Sequence, residues 1–337
     1  MPSRPPATYK DIQRLTGLSL ATISKHYNGL NVRPENRAAI EKAAAELGYR
    51  VNSFARGLRE GASRTIGVIL PSLQNGFHLS VVVEAERRLR DEGIGVLVTS
   101  DGVDGARDAV ELLLNRQVDG IIAVPGPKDL AALRSAQTLG VPLVTVDWSL
   151  PDLGADTVLL DNAAAGRQAA RYLIDHGHRD VAVVAGPDWV STLRERRDGF
   201  LSEMSHAGKP VLTDRVLSAA MTADGGYGAM WRALNLDRRP GAIFTTNHEL
   251  TVGALIALGE SGLRLGRDIS LIGFDAVEVA QTTRPRLTVI AQPVSEIARA
   301  AAEAMLDRLN GSDAPPKEAS FLGHLIVGGS VADHRDG

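Results

Sequence analysis

Residues 8–29 read TYKDIQRLTGLSLATISKHYNG, and this stretch decides the front of the fold. Thr8 with Asp11 three positions on is a capping-box pattern, Asp standing in for the usual Glu. Ile12 and Leu15 mark the apolar face of the helix that follows, and Gly17 suits the tight turn that ends it. Ser19 can cap a second helix, Leu20 to Tyr27, which Asn28-Gly29 stops. A third helix opens at Pro34, carries Ile40, Ala43, Ala44 and Leu47 at helical spacing, and ends at Gly48. Three short helices with a three-residue turn between the first two predict a helix-turn-helix.

In such a unit the start of the second helix approaches base edges, so it needs small or short polar side chains there. Ile23 faces the core and sets the helix angle. Leu20 and Ala21 then point into the major groove, where apolar groups suit a thymine methyl. Lys25 donates to a guanine edge or to a phosphate, and Ser19, Thr22, Ser24 and Asn28 are positioned for phosphates. Charge agrees with this reading. Residues 1–64 carry eleven Lys and Arg against five acids, an excess of six, so the net −3 of the chain leaves nine negative charges beyond residue 64. A basic head on an acidic body is the asymmetry of a DNA-binding module joined to something else.

Next comes Asn52-Ser53-Phe54-Ala55-Arg56-Gly57-Leu58-Arg59. It is helical in look but too short to hold alone, and Gly57 weakens it further. It can fold on DNA, with Leu58 wedged between base pairs in the minor groove. The alternative is a linker whose Leu58 packs on the body. Residues 65 onward alternate strand and helix: Thr65–Pro71, Gly95–Ser100, Gly120–Val124, Pro142–Asp147 and Thr157–Asp161 read as strands with helices between. A second series has strands near Val181–Ala185, Ala242–Thr246 and Ser270–Phe274. That alternation predicts parallel sheets covered on both faces, and the number of strands predicts two doubly wound lobes with a cleft between them.

The whole series, about residues 8–331, resembles the LacI/GalR (lactose and galactose repressor) family. The matching stretches include Gly17-Leu18-Ser19, Thr22-Ile23-Ser24-Lys25, Ala45-Glu46-Leu47-Gly48-Tyr49 and Asn52 through Leu58. In the body they include Val118-Asp119-Gly120-Ile121-Ile122, Asp161-Asn162, Gly177-His178-Arg179, Ile272-Gly273-Phe274-Asp275 and Gln292-Pro293. The resemblance implies an all-α helix-turn-helix head (residues 1–51) and a hinge helix or linker (52–62). It also implies an α/β periplasmic-binding-protein-like core (63–337) that crosses between its lobes three times. Lobe 1 is expected at about 63–162 and 292–318, and lobe 2 at about 163–291 and 319–331.

The family further implies a homodimer on near-palindromic operator DNA, contacted by the head residues above together with Asn52, Ala55, Leu58 and Arg59. By position, the effector cleft holds Asp147, Arg194, Asn247 and Asp275, with Phe77 and Trp189 as apolar faces. Two carboxylates, an amide and a guanidinium suit vicinal hydroxyls, as in a sugar. A corepressor such as a nucleobase is the alternative.

The departures are Leu20 and Ala21, less polar than the family's Tyr-Gln, His248 where Asp is common, and Gly328 where Arg is frequent. His248 faces the cleft or satisfies a local carbonyl. No leucine-heptad tail follows, so no tetramer is expected. His176-Gly177-His178 lacks companions and reads as a turn, not a metal site.

Two other classes are less favoured. A solute-binding protein for transport needs an export signal and no head. A glycosidase would use Asp147 and Asp275 as its carboxylate pair, but no nucleophile elbow, phosphate loop or dinucleotide fingerprint is present. The expectation is a cytoplasmic, cofactor-free regulator that is not an enzyme, uses no metal and does not associate with membrane. No apolar run reaches the length of a membrane span, and the chain has no Cys for disulfides or thiolate sites.

Overall fold

The computed structural model describes residues 7–27, 30–49, 62–101 and 105–335. The chain divides into two compact units, with the boundary between Arg64 and Thr65.

The first unit holds α1 (Tyr9–Thr16), α2 (Leu20–Tyr27) and α3 (Pro34–Leu47). The Asp11 carboxylate accepts from both the backbone N–H and the hydroxyl of Thr8, at 2.9 and 2.8 Å. Gly17 and Gly48 end α1 and α3 with φ of 72° and 61°, a region that disfavours any side chain. The core is small: Ile12, Ile23, Ile40 and Ala43 are buried, and Tyr9, Tyr27 and Tyr49 stack around them. Leu15, read from sequence as part of the apolar face, is instead exposed. Eight residues of α1 give room for one buried stripe, and Ile12 fills it.

The second unit contains two six-stranded sheets. The first is built from β1 (Thr65–Leu70), β2 (Gly95–Ser100), β3 (Gly120–Ala123), β4 (Leu143–Val146), β5 (Asp156–Leu160) and β11 (Glu318–Phe321), in the order β11-β5-β4-β3-β1-β2, all parallel. The second is built from β6 (Val181–Ala185), β7 (Val216–Ser218), β8 (Ala242–Thr245), β9 (Ser270–Phe274), β10 (Thr288–Ala291) and β12 (His324–Ile326). Its order is β12-β10-β9-β8-β6-β7, parallel except for the β10–β12 pair. The two orders are the same pattern, with the first βα unit central and the chain winding out to both sides. Continuous apolar runs such as Val-Ala-Val-Val-Ala in β6 are buried along their full length, as a sheet covered on both faces requires.

The helices of the first lobe are α4 (Gly76–Asp91), α5 (Arg107–Asn115), α6 (Leu130–Thr138) and α12 (Val294–Leu309). Those of the second are α7 (Asn162–Asp175), α8 (Ser191–His206), α9 (Ala223–Leu234), α10 (His248–Ser261) and the short α11 (Val277–Thr282). α12 returns to the first lobe, where Ile297, Ala298, Ala301 and Met305 join the core of β1, β3 and β4.

The chain therefore crosses between lobes after β5, after β10 and after β11. The last crossing lies between Phe321 and His324, not at residues 318–319 as the sequence suggested. Glu318 to Phe321 pair along β5, and only His324 to Ile326 reach the second sheet. Beyond β12, Ser330 bonds β9 and β10, and residues 332–334 strap onto the turn between α7 and β6. His178 there lies between the Ala332 carbonyl and the Ser270 hydroxyl, at 3.1 and 3.2 Å. Burial, reinforced by His334, pushes its pKa down to about 4. The His176-Gly177-His178 pair thus serves the turn: His176 Nδ1 binds the Tyr172 carbonyl at 2.8 Å.

Candidate functional site

In the head, α2 is held by Ile23, which is fully buried. The Ser19 hydroxyl accepts from the Thr22 backbone N–H at 3.2 Å and caps the helix. That fixes which side is open. Ser19, Leu20, Ala21 and Lys25 are exposed, and Thr22 and Ser24 are half-buried beside them. Leu20 keeps 39% of its surface accessible, far more than a helix-core residue would, at the end where a recognition helix meets bases. Thr22 is partly committed to Ser19, their hydroxyls 2.9 Å apart. Asn28, Asn52, Ala55, Leu58 and Arg59 lie outside the described residues.

In the body, the C-terminal ends of the two sheets meet, which is where open parallel sheets bind ligands. β4 ends at Asp147 and β9 at Asp275. Both have positive φ, 65° and 51°. A non-glycine residue in that region is strained, and such strain gathers at functional sites. Each is pinned by its backbone N–H, Asp147 to Val158 O at 3.0 Å and Asp275 to Ile290 O at 2.7 Å.

The guanidinium between them belongs to Arg196, not Arg194. Arg196 is 3% exposed. Its Nε donates to Asn162 Oδ1 at 2.8 Å, its Nη1 donates to Thr246 O at 3.0 Å, and its Nη2 lies 3.9 Å from Asp147 Oδ1. It also stacks on Phe274, 3.7 Å from the ring centre. Arg194 instead faces solvent and donates to the Asp188 carbonyl at 2.7 Å. The cause is helical phase. Leu193, Arg196 and Phe200 share the buried stripe of α8, and Arg194 lies off it. Close packing of α7 on α8 fixes the depth: a Cβ on Gly166 would sit 1.9 Å from the Arg196 carbonyl, and one on Gly199 2.2 Å from that of Ala163.

His78, which the sequence reading missed, completes the group. It belongs to the stripe His78, Val81, Ala85, Leu89 of α4, and that spacing was the available signal. Asn75 caps α4 by accepting from the His78 N–H at 3.1 Å. His78 Nε2 lies 3.4 Å from Asp147 Oδ2. Burial pushes the Asp147 carboxyl up, but His78 and Arg196 outweigh it and hold the pKa below its ordinary value. At Asp275 burial prevails and the pKa is raised, although Arg196 and the Gln292 amide oppose it. Burial lowers that of Arg196 against the pull of Asp147, Asp275, Glu195 and Glu249. Three buried polar atoms of this group make no hydrogen bond: His78 Nδ1, Asp147 Oδ1 and Gln292 Oε1. Buried polar atoms are rarely left so.

The remaining expected residues are placed around it. Asn247 caps α10, its Oδ1 accepting from the Leu250 N–H at 3.0 Å. Its Nδ2 donates to Glu249, which also accepts from Asn75 of the first lobe at 3.3 Å. Phe77 is half-buried and packs on the first-lobe core, its ring 5.4 Å from that of His78. Trp189 is 59% exposed and is not core packing. It faces Trp148 of the first lobe, ring centres 6.5 Å apart, a partner the sequence reading did not name. His248 is half-buried. Gly328 fits closely, since a Cβ there would meet the Arg286 carbonyl at 2.2 Å. Among the described residues, no group of three or more acids and histidines is placed to hold a metal, and no helix is long and apolar enough to cross a membrane.

A helix-turn-helix head followed by a two-lobed receptor whose sheet ends share a buried polar group defines a ligand-responsive DNA-binding protein. Comparison with known proteins agrees. Residues 170–331 match the periplasmic binding protein-like domain. The chain is 30% identical to the HTH-type transcriptional repressor PurR of Pasteurella multocida over 329 residues, 96% of this chain and 98% of that one. It is also 30% identical to the ribose operon repressor of Haemophilus influenzae over 306 residues, 90% and 92% of the two chains. The structure of the lac repressor dimer bound to operator and the anti-inducer ONPF superposes with a TM-score of 0.86 at 26% identity, covering 97% of this chain and 99% of that one. The chain belongs to the LacI/GalR family of transcriptional regulators. It is a transcriptional repressor with a small-molecule-binding domain, and it is not an enzyme.

Proposed function

We propose that this repressor binds a near-palindromic operator as a homodimer in the cytoplasm and that a sugar-like effector in the body's cleft sets its operator affinity. The observation that carries the effector reading is the set of unpartnered atoms around Asp147 and Arg196. Asp147 Oδ1 and Arg196 Nη2 lie too far apart to bond directly, at 3.9 Å. A hydroxyl placed between them accepts from one and donates to the other, which few functional groups can do. Phe77, Trp148 and Trp189 supply apolar faces for a sugar ring. The effector contacts are then Asp147, Arg196, His78 and Gln292, with Asp275 aiming Gln292, Asn247 acting through Glu249 and Arg194 removed from the set.

In the head, Ser19, Leu20, Ala21, Thr22, Ser24, Lys25 and Asn28 contact the duplex. Asn52, Ala55, Leu58 and Arg59 form the hinge, and Leu58 is the minor-groove wedge. Ligand-driven movement of one lobe on the other changes the support for the hinge, and operator affinity changes with it. A switch from nearly full to nearly empty occupancy needs about 5.5 kcal/mol of preference for one state. Induction and corepression, for instance by a nucleobase, use the same parts with opposite sign.

The test is selection of bound fragments from genomic DNA, then titration of the selected operator at fixed salt with and without a sugar and nucleoside panel. Operator affinity that moves with one panel member is the expected result. No preference for any duplex over bulk fragments removes the DNA reading. A specific operator indifferent to every small molecule removes the effector reading.

A further inference from the structure

We propose that the cleft selects its effector by charge. It admits uncharged or cationic molecules rich in hydroxyl or amine donors and rejects phosphorylated and carboxylated ones, with His78 a specificity-determining contact. This rests on the effector reading above and narrows it to a class of ligand.

Four carboxylates, Asp147, Asp275, Glu195 and Glu249, act on the single guanidinium of Arg196. Even with one of them protonated, acid exceeds base. Two donors of Arg196 are already spent on Asn162 and Thr246, so the guanidinium is not a free fork for an anion. The neighbouring arginines are engaged on their own segment: Arg197 with Asp188 and Asp198, Arg194 with the Asp188 carbonyl.

The unpartnered atoms point the same way. Gln292 turns its Nε2 to Asp275 at 2.9 Å, because a carboxylate can only accept. Its Oε1 is therefore left as an acceptor. His78 turns Nε2 to the carboxylate of Asp147. Its Nδ1 makes no hydrogen bond, and a ligand hydroxyl can meet it as donor or acceptor. Asp147 Oδ1 is the second open acceptor. A lining of acceptors is satisfied by ligand O–H or N–H groups. A phosphate or carboxylate group brings acceptors only, so it cannot pair with Gln292 Oε1 or Asp147 Oδ1 and meets like charge there.

The experiment measures binding to the full-length protein by calorimetry for matched probes. These are D-ribose and D-ribose 5-phosphate, D-glucose with D-glucosamine, D-gluconate and D-glucose 6-phosphate, and a nucleoside with its monophosphate. In any series that binds, the neutral or amino member is expected to bind at least tenfold tighter than its anionic counterpart. Asp147→Asn should shrink that ratio at least tenfold, and His78→Phe should weaken the neutral member by ten- to a hundredfold. An anionic member that binds as tightly as its neutral parent overturns charge selection and leaves the effector reading standing. An unchanged ratio in Asp147→Asn does the same. No binding by any probe, of either charge, overturns the effector reading and this proposal together.

Discussion

β4 and β9 occupy the same place in their two sheets, third in each strand order, and each is followed by an aspartate with positive φ whose N–H bonds the next strand out. There the likeness stops. Asp147 meets a histidine on one side and a guanidinium on the other, and one of its oxygens makes no hydrogen bond. Asp275 has both oxygens engaged by Gln292, one on its backbone N–H and one on its side-chain amide. One pKa is lowered and the other raised. A shared backbone position therefore does not assign a shared role. In the reading proposed above, Asp147 presents a charge to a ligand and Asp275 aims Gln292.

The contrast can be broken in four ways. The largest effect is expected from Arg196→Leu, which leaves the half-buried carboxylates of Asp147 and Asp275 without their common, buried counter-charge. It should cost about 3–5 kcal/mol of stability in urea unfolding. A loss below about 1 kcal/mol would mean the carboxylates are solvated and the contrast is empty. Next, Asp147→Asn keeps a residue that tolerates the left-handed backbone and removes only the charge. Effector affinity should fall by about 1.5–3 kcal/mol, roughly ten- to a hundredfold.

Asp275→Asn should cost the effector less, about 1 kcal/mol, because the new amide oxygen can still receive Gln292. Its signature is in pH. A raised carboxyl contributes stability below its unfolded value of 3.8 and loses it as pH rises through the folded pKa. A lowered one contributes above 3.8 and loses it as pH falls. Unfolding profiles should therefore lose their decline above pH 4 in Asp275→Asn and soften on the acid side in Asp147→Asn. Identical profiles for the two variants would erase the difference between the lobes. The smallest effect belongs to Arg194→Ala, within about 0.5 kcal/mol for both stability and effector affinity. A lost effector response there would return Arg194 to the site in place of Arg196.

Much of the fold was legible because its signals are periodic. The capping pattern at Thr8, glycines closing α1 and α3, and strand-helix alternation in the body follow from local chemistry. The last crossing is not legible in the sequence, because β11 alternates exposed and half-buried residues and begins with Glu318 in place of an apolar run. At the site, strand ends gave Asp147 and Asp275. Position along the family's pattern points to Arg194, whereas phase within α8, where Leu193, Arg196 and Phe200 share the buried stripe, singles out Arg196. His78 was readable on the same grounds. The Trp148–Trp189 pair was not, since it joins segments of different lobes whose meeting no local pattern encodes.

Three separate strands of backbone connect the lobes, leaving β5, β10 and β11 within a few residues of their neighbours in the other lobe. A plate hung on a single ribbon can twist, slide and swing. One hung on three short parallel ribbons resists sliding and twisting, and keeps chiefly a swing about the line that joins them. Whatever occupies the space between the plates is thus translated into one angle.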